Sequence, residues 1–289
     1  MSIYRINGVA LSDAFSVDGN ALSAAYDISG ELVFPDETAL KVMSYNVQWF
    51  TKINAQQGMQ NIIINGNAPN IIGFQEISQN GTIPSVGVNV LTQYPTKKLS
   101  NHKNYLAMAS KLPLSNYIIN DFENQDPEDL SRYNETRAYM VADVSYLGRT
   151  IKWINTHLSP LTQSYRWLQM GEIFTIASGY VSQDYPVILT GDFNSNATSV
   201  EDGDYINMYK QFVDAGYHMV NSSQESGFTK TFSSLTTATS LADLTKTHDN
   251  IIVSPDITIE SVLFDTTKFS YLNGDPIDHI AVVAVLTFQ

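Results

Sequence analysis

Cysteine is absent from the 289 residues, which excludes a disulfide framework, a thiolate nucleophile and a metal held on thiolate sulfur. A metal in this chain would have to sit on oxygen or imidazole. Long apolar runs are missing too, since none approaches the roughly 18 residues of a membrane-spanning helix. Met1 to Ile6 lacks the basic start and apolar stretch of a secretion signal, so the expected address is the cytoplasm as synthesised. Positive charge is scarce. The 16 Lys and Arg against 29 Asp and Glu leave a net charge of −13, which argues against holding nucleic acid by broad charge attraction. A local patch stays open, because Lys97, Lys98, Lys103 and Lys111 crowd one window around His102. That window reads as a phosphate-contacting loop or as solvated surface.

What is present describes an ordinary globular chain, with 43% hydrophobic residues, 16 Gly and 10 Pro. Its start carries a repeat. Ile6-Asn7-Gly8-Val9-Ala10-Leu11-Ser12 returns 11 residues later as Val17-Asp18-Gly19-Asn20-Ala21-Leu22-Ser23, and a partial third copy begins at Ile28-Ser29-Gly30. Asn-Gly and Asp-Gly are strong tight-turn signals, so residues 1–38 read as a short turn-rich β segment, with Pro35 to Thr38 as the junction to a main domain over 39–289. Such a segment is too small to hold a core alone. Residues 1–34 then serve either to dock a partner or to cover a sheet edge.

Beyond Leu40, apolar runs repeatedly end in polar groups. Lys41 to Tyr45 leads to Asn46, Ile71 to Gln75 leads to Glu76, and Ile151 to Thr156 leads to His157. Val187 to Thr190 leads through Gly191 to Asp192 and Asn194, while Asp278 and His279 stand just before the apolar Ile280 to Phe288. Alternate side chains of an extended segment face one way, so Asp192 and Asn194 can address a single site, with Gly191 leaving it room. A turn is the other reading of the same three residues. Between these runs, Ser164 to Gly179 has helical spacing through Trp167, Met170, Phe174 and Ala177. Tyr205 to Ala215 is a further helix, with Gly216 as its stop. Thr51 to Asn65 is a polar, helix-length segment, and Gly81 to Asn104, Phe122 to Glu135 and Ser222 to Thr247 read as long polar loops.

Ser44-Tyr45-Asn46-Val47-Gln48, Gly73-Phe74-Gln75-Glu76, Asn155-Thr156-His157-Leu158, Gly191-Asp192-Phe193-Asn194, His248-Asp249-Asn250-Ile251 and Ile277-Asp278-His279 resemble, in this order, the motif series of the endonuclease/exonuclease/phosphatase superfamily, the group of deoxyribonuclease I and exonuclease III. The resemblance covers Leu40 to Gln289. It implies a four-layer α/β sandwich, two mixed β-sheets face to face with helices outside, as in deoxyribonuclease I. It also implies roles. Glu76 with Asn46 would hold Mg²⁺ or Mn²⁺, with Asp278 as an additional metal ligand, since a hard cation prefers oxygen donors. Asp192 would orient or deprotonate the attacking water, and Asn194 would fix that water and a phosphate oxygen. His279 would face the scissile phosphate, with Asp249 paired to it and favouring its cation. Arg137, in Glu135-Thr136-Arg137-Ala138, resembles the arginine that holds a substrate phosphate in the deoxyribonuclease I branch, and His157 resembles that branch's second histidine.

The sequence departs from the pattern in two places. The carboxylate that partners the second histidine in deoxyribonuclease I has no counterpart near Asn104 to Ala109, where Lys103 stands instead. The proline that commonly follows the last histidine is replaced by Ile280-Ala281-Val282. The resemblance implies a metal-dependent phosphodiesterase working by in-line attack of water, an endonuclease with DNA as substrate. A lipid or inositol-phosphate phosphoesterase of the same superfamily is the first alternative, and a non-catalytic binding protein on this scaffold is the second. The repeat segment loosely resembles turn-rich leaders of phage tail-associated proteins, which makes a phage particle or an extracellular site the alternative address.

Overall fold

The computed structural model describes residues 5–6, 9–10, 16–17, 20–21, 25–26, 32–33, 39–48, 64, 66–77, 92–100, 105–221, 229–231, 244–265 and 279–289. Contacts divide the chain into two units, Met1–Ala39 and Leu40–Gln289. In the first unit, β1 (Arg5–Ile6) pairs antiparallel with β2 (Val9–Ala10), Ile6 opposite Val9, so Asn7-Gly8 fall between paired residues. The repeat does the same again. In β3 (Ser16–Val17) and β4 (Asn20–Ala21), Val17 lies opposite Asn20 around Asp18-Gly19. A third pair joins β5 (Ala25–Tyr26) to β6 (Leu32–Val33).

The second unit is built on two mixed six-stranded sheets. The first runs β17 (Ile257–Phe264), β18 (Val282–Phe288), β7 (Leu40–Asn46), β8 (Ile71–Gln75), β10 (Ala107–Ser110), β9 (Thr96–Leu99). The second runs β11 (Leu114–Asp121), β12 (Ala138–Tyr146), β13 (Arg149–His157), β14 (Val187–Asp192), β16 (Asp249–Val253), β15 (His218–Met219). One core joins Leu40, Val42, Ile71, Val282 and Ala284 of the first sheet to Ala142, Ile151, Trp153, Ile188 and Ile251 of the second. Met43, Tyr45, Ile72, Phe74 and Val283 are buried on the outer face of the first sheet, packed with the helical residue Ile64. Ile154, Leu189 and Ile252 are buried on the outer face of the second, against Met170, Ile173 and Ala177. Burial on both faces explains why these strands read as near-continuous apolar runs.

Along the face between the sheets, inward positions change from apolar to polar toward one end. Period-two alternation puts Leu40, Val42, Ser44 and Asn46 in line on β7, and Ile151, Trp153, Asn155 and His157 in line on β13. On β14 the series is Ile188, Thr190, Asp192. β7 and β8 are parallel, as are β13 and β14, whereas β16 and β18 run against their neighbours. The polar ends of β7, β8, β13 and β14 therefore meet the starts of β16 and β18.

Below that end lies a polar bridge between the sheets. The Asn155 amide donates to the backbone carbonyls of Phe74 and Ala107, each at 3.0 Å, and its Oδ1 accepts from Gln75 Nε2 at 2.7 Å and Thr190 Oγ1 at 3.0 Å. Gly73 makes room for it, because a Cβ there would run into Thr190 Oγ1 and Asn155 Oδ1.

Helix α1 (Pro127–Tyr133) occupies much of the stretch expected as the loop Phe122 to Glu135. Asp126 caps it by accepting from Glu128 N, Pro127 opens it, and Asn134 closes it at φ 54°. At seven residues it is too short to show an apolar period. Gly81 to Asn104, also expected as loop, supplies β9, a polar edge strand of the kind that discourages further pairing. Helix α2 (Gln163–Val181) extends the expected Ser164 to Gly179 at both ends. Tyr205–Tyr209 is π-helical and continues into α3 (Lys210–Asp214), where one α-helix was expected, and Gly216 stops it at φ 84°. Thr51 to Asn65 and Ser222 to Thr247 lie mostly outside the described residues. Among the described residues no helix is long and apolar enough to cross a membrane.

Candidate active site

The convergence of polar strand ends is centred on Asp192. Strand register places it beside His157 on β13 and opposite Asp249 on β16. From the other sheet, Asn46 Nδ2 donates to Asp192 Oδ2 at 2.9 Å and to Glu76 Oε1 at 3.2 Å. One amide thus bridges two carboxylates that belong to different sheets. Its oxygen is taken by Gln48 N at 3.0 Å, which fixes the orientation. Glu76, half-buried, stands one residue past β8 at φ 53°, a left-handed conformation that a non-glycine residue holds at some cost.

Two histidines face the same oxygen of Asp192. His157 Nε2 lies 3.4 Å from Oδ2 and His279 Nε2 lies 3.6 Å from it. His279 Nδ1 is 2.8 Å from Asp249 Oδ2, the pairing that the resemblance implied. All four side chains are buried. Burial raises the Asp192 carboxyl, but His157, His279, His248 and the Asn46 hydrogen bond outweigh it and hold the group below the usual carboxylate range. Asp249 moves the other way, pushed up by burial to about 6 against the pull of His279. Burial likewise drives His157 down to about 3, helped by Arg137 and His279 and opposed by Asp192.

Asn194 reaches the site differently from the extended alternation expected of it. β14 ends at Asp192, and Asn194 adopts φ 50° with its N–H donating to Asp192 Oδ1 at 2.8 Å. The turn and the site are one structure. Asn194 Nδ2 donates to Leu158 O at 2.9 Å, tying the turn to the residue after His157. Gly191 is required here, because a Cβ would strike the Phe193 ring and come to 2.9 Å from Thr156 O.

Arg137 is 2% exposed, with Nε donating to Asp129 Oδ2 at 2.9 Å, Nη2 3.2 Å from Glu135 Oε2 and Nη1 3.3 Å from His157 Nδ1. Asp278, Lys103 and His102 lie outside the described residues. Among the described residues, the basic window does not gather at the site. Lys111 follows β10 at the end away from it, donating to Ala68 O at 3.0 Å, and Lys97 and Lys98 are on the edge strand β9.

The donors present suit a cation. Glu76 and Asp192 supply carboxylate oxygens joined through Asn46, and Asp192, His248 and His279 offer ligand atoms all within 4.8 Å of one another. His248 was quoted in its motif but given no role from sequence. Its ring centre lies 5.8 Å from that of His279, and its position next to Asp249 was the available signal. Asp129 and Asn155 were also missed, since only the folded chain shows what they touch.

The sequence matches the profile of the Endonuclease/Exonuclease/phosphatase family over residues 43–267. No curated protein matches it significantly. Among solved structures, truncated Caenorhabditis elegans TDP2 is similar at 17% identity and TM-score 0.61, covering 86% of this chain and 97% of that one. The human Nocturnin catalytic domain with bound sulfate is similar at 16% identity and TM-score 0.62, over 87% and 95%. D. rerio TDP2 complexed with single strand DNA product is similar at 17% identity and TM-score 0.62, over 86% and 99%. At such identities the likeness shows the fold, two mixed sheets with flanking helices.

Proposed function

Because the chain belongs to the endonuclease/exonuclease/phosphatase family, whose members hydrolyse phosphodiester bonds, we propose that it is a metal-dependent phosphodiesterase and that DNA is its substrate. The observation that carries this reading is the convergence on Asp192 of Asn46 from one sheet and His157 from the other, with His279 beside them. Glu76, supported by Asn46 and joined by Asp278, would hold Mg²⁺ or Mn²⁺. That ion would screen the charge of the phosphate and its leaving oxygen.

The protein's own groups supply the rest. Asp192, a carboxylate ringed by donors, accepts a hydrogen bond from the attacking water and aims it in line. Asn194 holds the turn that fixes Asp192 and offers its amide to water and a phosphate oxygen. His279, backed by Asp249, donates to the phosphoryl oxygens as negative charge builds in the transition state. The single-strand DNA product named for the D. rerio neighbour favours a nucleic acid over a lipid.

The test is a side-by-side assay of plasmid DNA, RNA, a phospholipid and an inositol phosphate, each with Mg²⁺, with Mn²⁺ and with chelator. Metal-dependent nicking of plasmid is expected. Turnover of the phospholipid or inositol phosphate alone would move the substrate class, and activity that survives exhaustive chelation would refute the metal role.

A further inference from the structure

We propose that Arg137 is a positioning residue that fixes the ring of His157 with its proton on Nε2, so that His157 presents a neutral donor to the site. The inference rests on the phosphodiesterase reading for what the donor does, and on geometry alone for how it is set. Guanidinium nitrogens donate and cannot accept. With Arg137 Nη1 3.3 Å from His157 Nδ1, that ring nitrogen must be the acceptor. The ring's proton then resides on Nε2, which lies 3.4 Å from Asp192 Oδ2.

His279 has the opposite wiring. A carboxylate, Asp249 Oδ2, stands 2.8 Å behind its Nδ1, so that nitrogen carries a proton. Two imidazoles therefore face one oxygen with opposite partners behind them. This accounts for the carboxylate missing near Lys103, because the place behind His157 belongs to a cation. Such a ring cannot serve as the proton acceptor of the reaction. It donates to Asp192 or to a phosphate oxygen and stays neutral.

The arginine is itself held. Asp129 of α1 takes Nε and Glu135 takes Nη2. On the same short segment, Asp126 Oδ2 accepts from Ser159 Oγ at 2.7 Å and from Thr162 N at 3.2 Å, gripping the chain just past His157. The segment from Asp126 to Arg137 thus holds both the ring and the strand end that carries it.

Protein with ¹⁵N-labelled histidine tests this directly. In long-range ¹H–¹⁵N spectra of the unaltered chain, His157 should show a protonated Nε2 and an unprotonated Nδ1 shifted by an accepted hydrogen bond. Arg137→Met should move Nδ1 to the shift of an unbonded ring nitrogen and lower kcat on plasmid DNA by tenfold or more, with KM within twofold. Arg137→Lys should restore part of the kcat. In Arg137→Met/His157→Ala, the activity should match that of His157→Ala alone. A protonated Nδ1 on His157 in the unaltered chain overturns the proposal even if no variant folds, and so does a KM that rises while kcat holds, which marks a phosphate contact. If the spectra agree but no phosphodiester is cleaved, the functional reading fails while the tautomer stands.

Discussion

His157 and His279 present Nε2 to one and the same oxygen of Asp192, at 3.4 and 3.6 Å. They come from different places in the topology, His157 from the end of β13 in one sheet and His279 from the approach to β18 in the other. The site exists only where the two sheets are held in register, so its chemistry and its architecture are tested together.

Asp192→Asn should lower turnover by a factor of about 10² or more, since an amide aims water poorly and turns a donor toward His157 and Asn46. The melting temperature should fall as well, because the histidines and the Asn46 hydrogen bond around the carboxylate outweigh its burial cost, so the rate is compared per folded molecule. Kinetics and a thermal melt on one preparation decide it. A collapse in stability with normal activity per folded molecule would make Asp192 a structural group.

Metal dependence should trace to Glu76. Glu76→Gln should raise the Mg²⁺ concentration for half-maximal activity at least tenfold, while circular dichroism and melting stay close to wild type. An unchanged metal titration would place the ion elsewhere, with Asp192, His248 and His279 as the donors next in line.

Asn155 is the lynchpin of the bridge beneath the site. Asn155→Ala leaves the carbonyls of Phe74 and Ala107 and the Gln75 amide short of a partner, and each such loss costs about 1–3 kcal/mol. Denaturant unfolding should show a loss of at least that size. Turnover should fall as well, because Gln75 precedes Glu76 and Thr190 lies two residues before Asp192 on the same face. A stability loss with full activity would separate the bridge from the site.

Much of this was legible in the sequence because it is local. An apolar run closed by a polar residue marks a strand end, and Asn46, Glu76, His157 and Asp192 were all visible that way. The turn at Asn194 was legible only as one of two readings, since Asp and Asn serve turns and sites alike. Arg137 shows the limit. Its neighbours Asp129, Glu135 and His157 lie eight, two and twenty residues away, and no spacing distinguishes a guanidinium facing phosphate from one facing a ring nitrogen. Helix α1 was hidden for another reason: caps at both ends hold a seven-residue helix that has no room for a period.

Acid should weaken the segment behind His157. Burial raises the Asp126 carboxyl, yet hydrogen bonds from Ser159, Thr162 and Glu128 more than offset it, and its native pKa lies below the usual value. A depressed native pKa means stability that is present above the unfolded value of about 3.9 and is lost as pH falls through the native one. Asp126→Asn should therefore cost about 1–3 kcal/mol at pH 7, and its gap to wild type should narrow below about pH 4. A gap that stays constant down to pH 2 would remove Asp126 from the acid response.

Asp249 and His279 are 30 residues apart in sequence and 2.8 Å apart in space, and the pair should act as a unit. His279→Ala removes the group proposed to meet the phosphoryl oxygens and should cost about 10² or more in kcat. Asp249→Asn keeps the ring but gives Nδ1 an amide that can accept only through its oxygen and brings no charge, so the ring loses the partner that orients it. That loss should be large but no greater than the histidine's. The double variant should be little worse than His279→Ala, since Asp249 has nothing left to act through. Losses that simply multiply would mean the carboxylate serves the reaction by another route, and the acid-base assignment around Asp192 would then have to be redrawn from Asp249 outward.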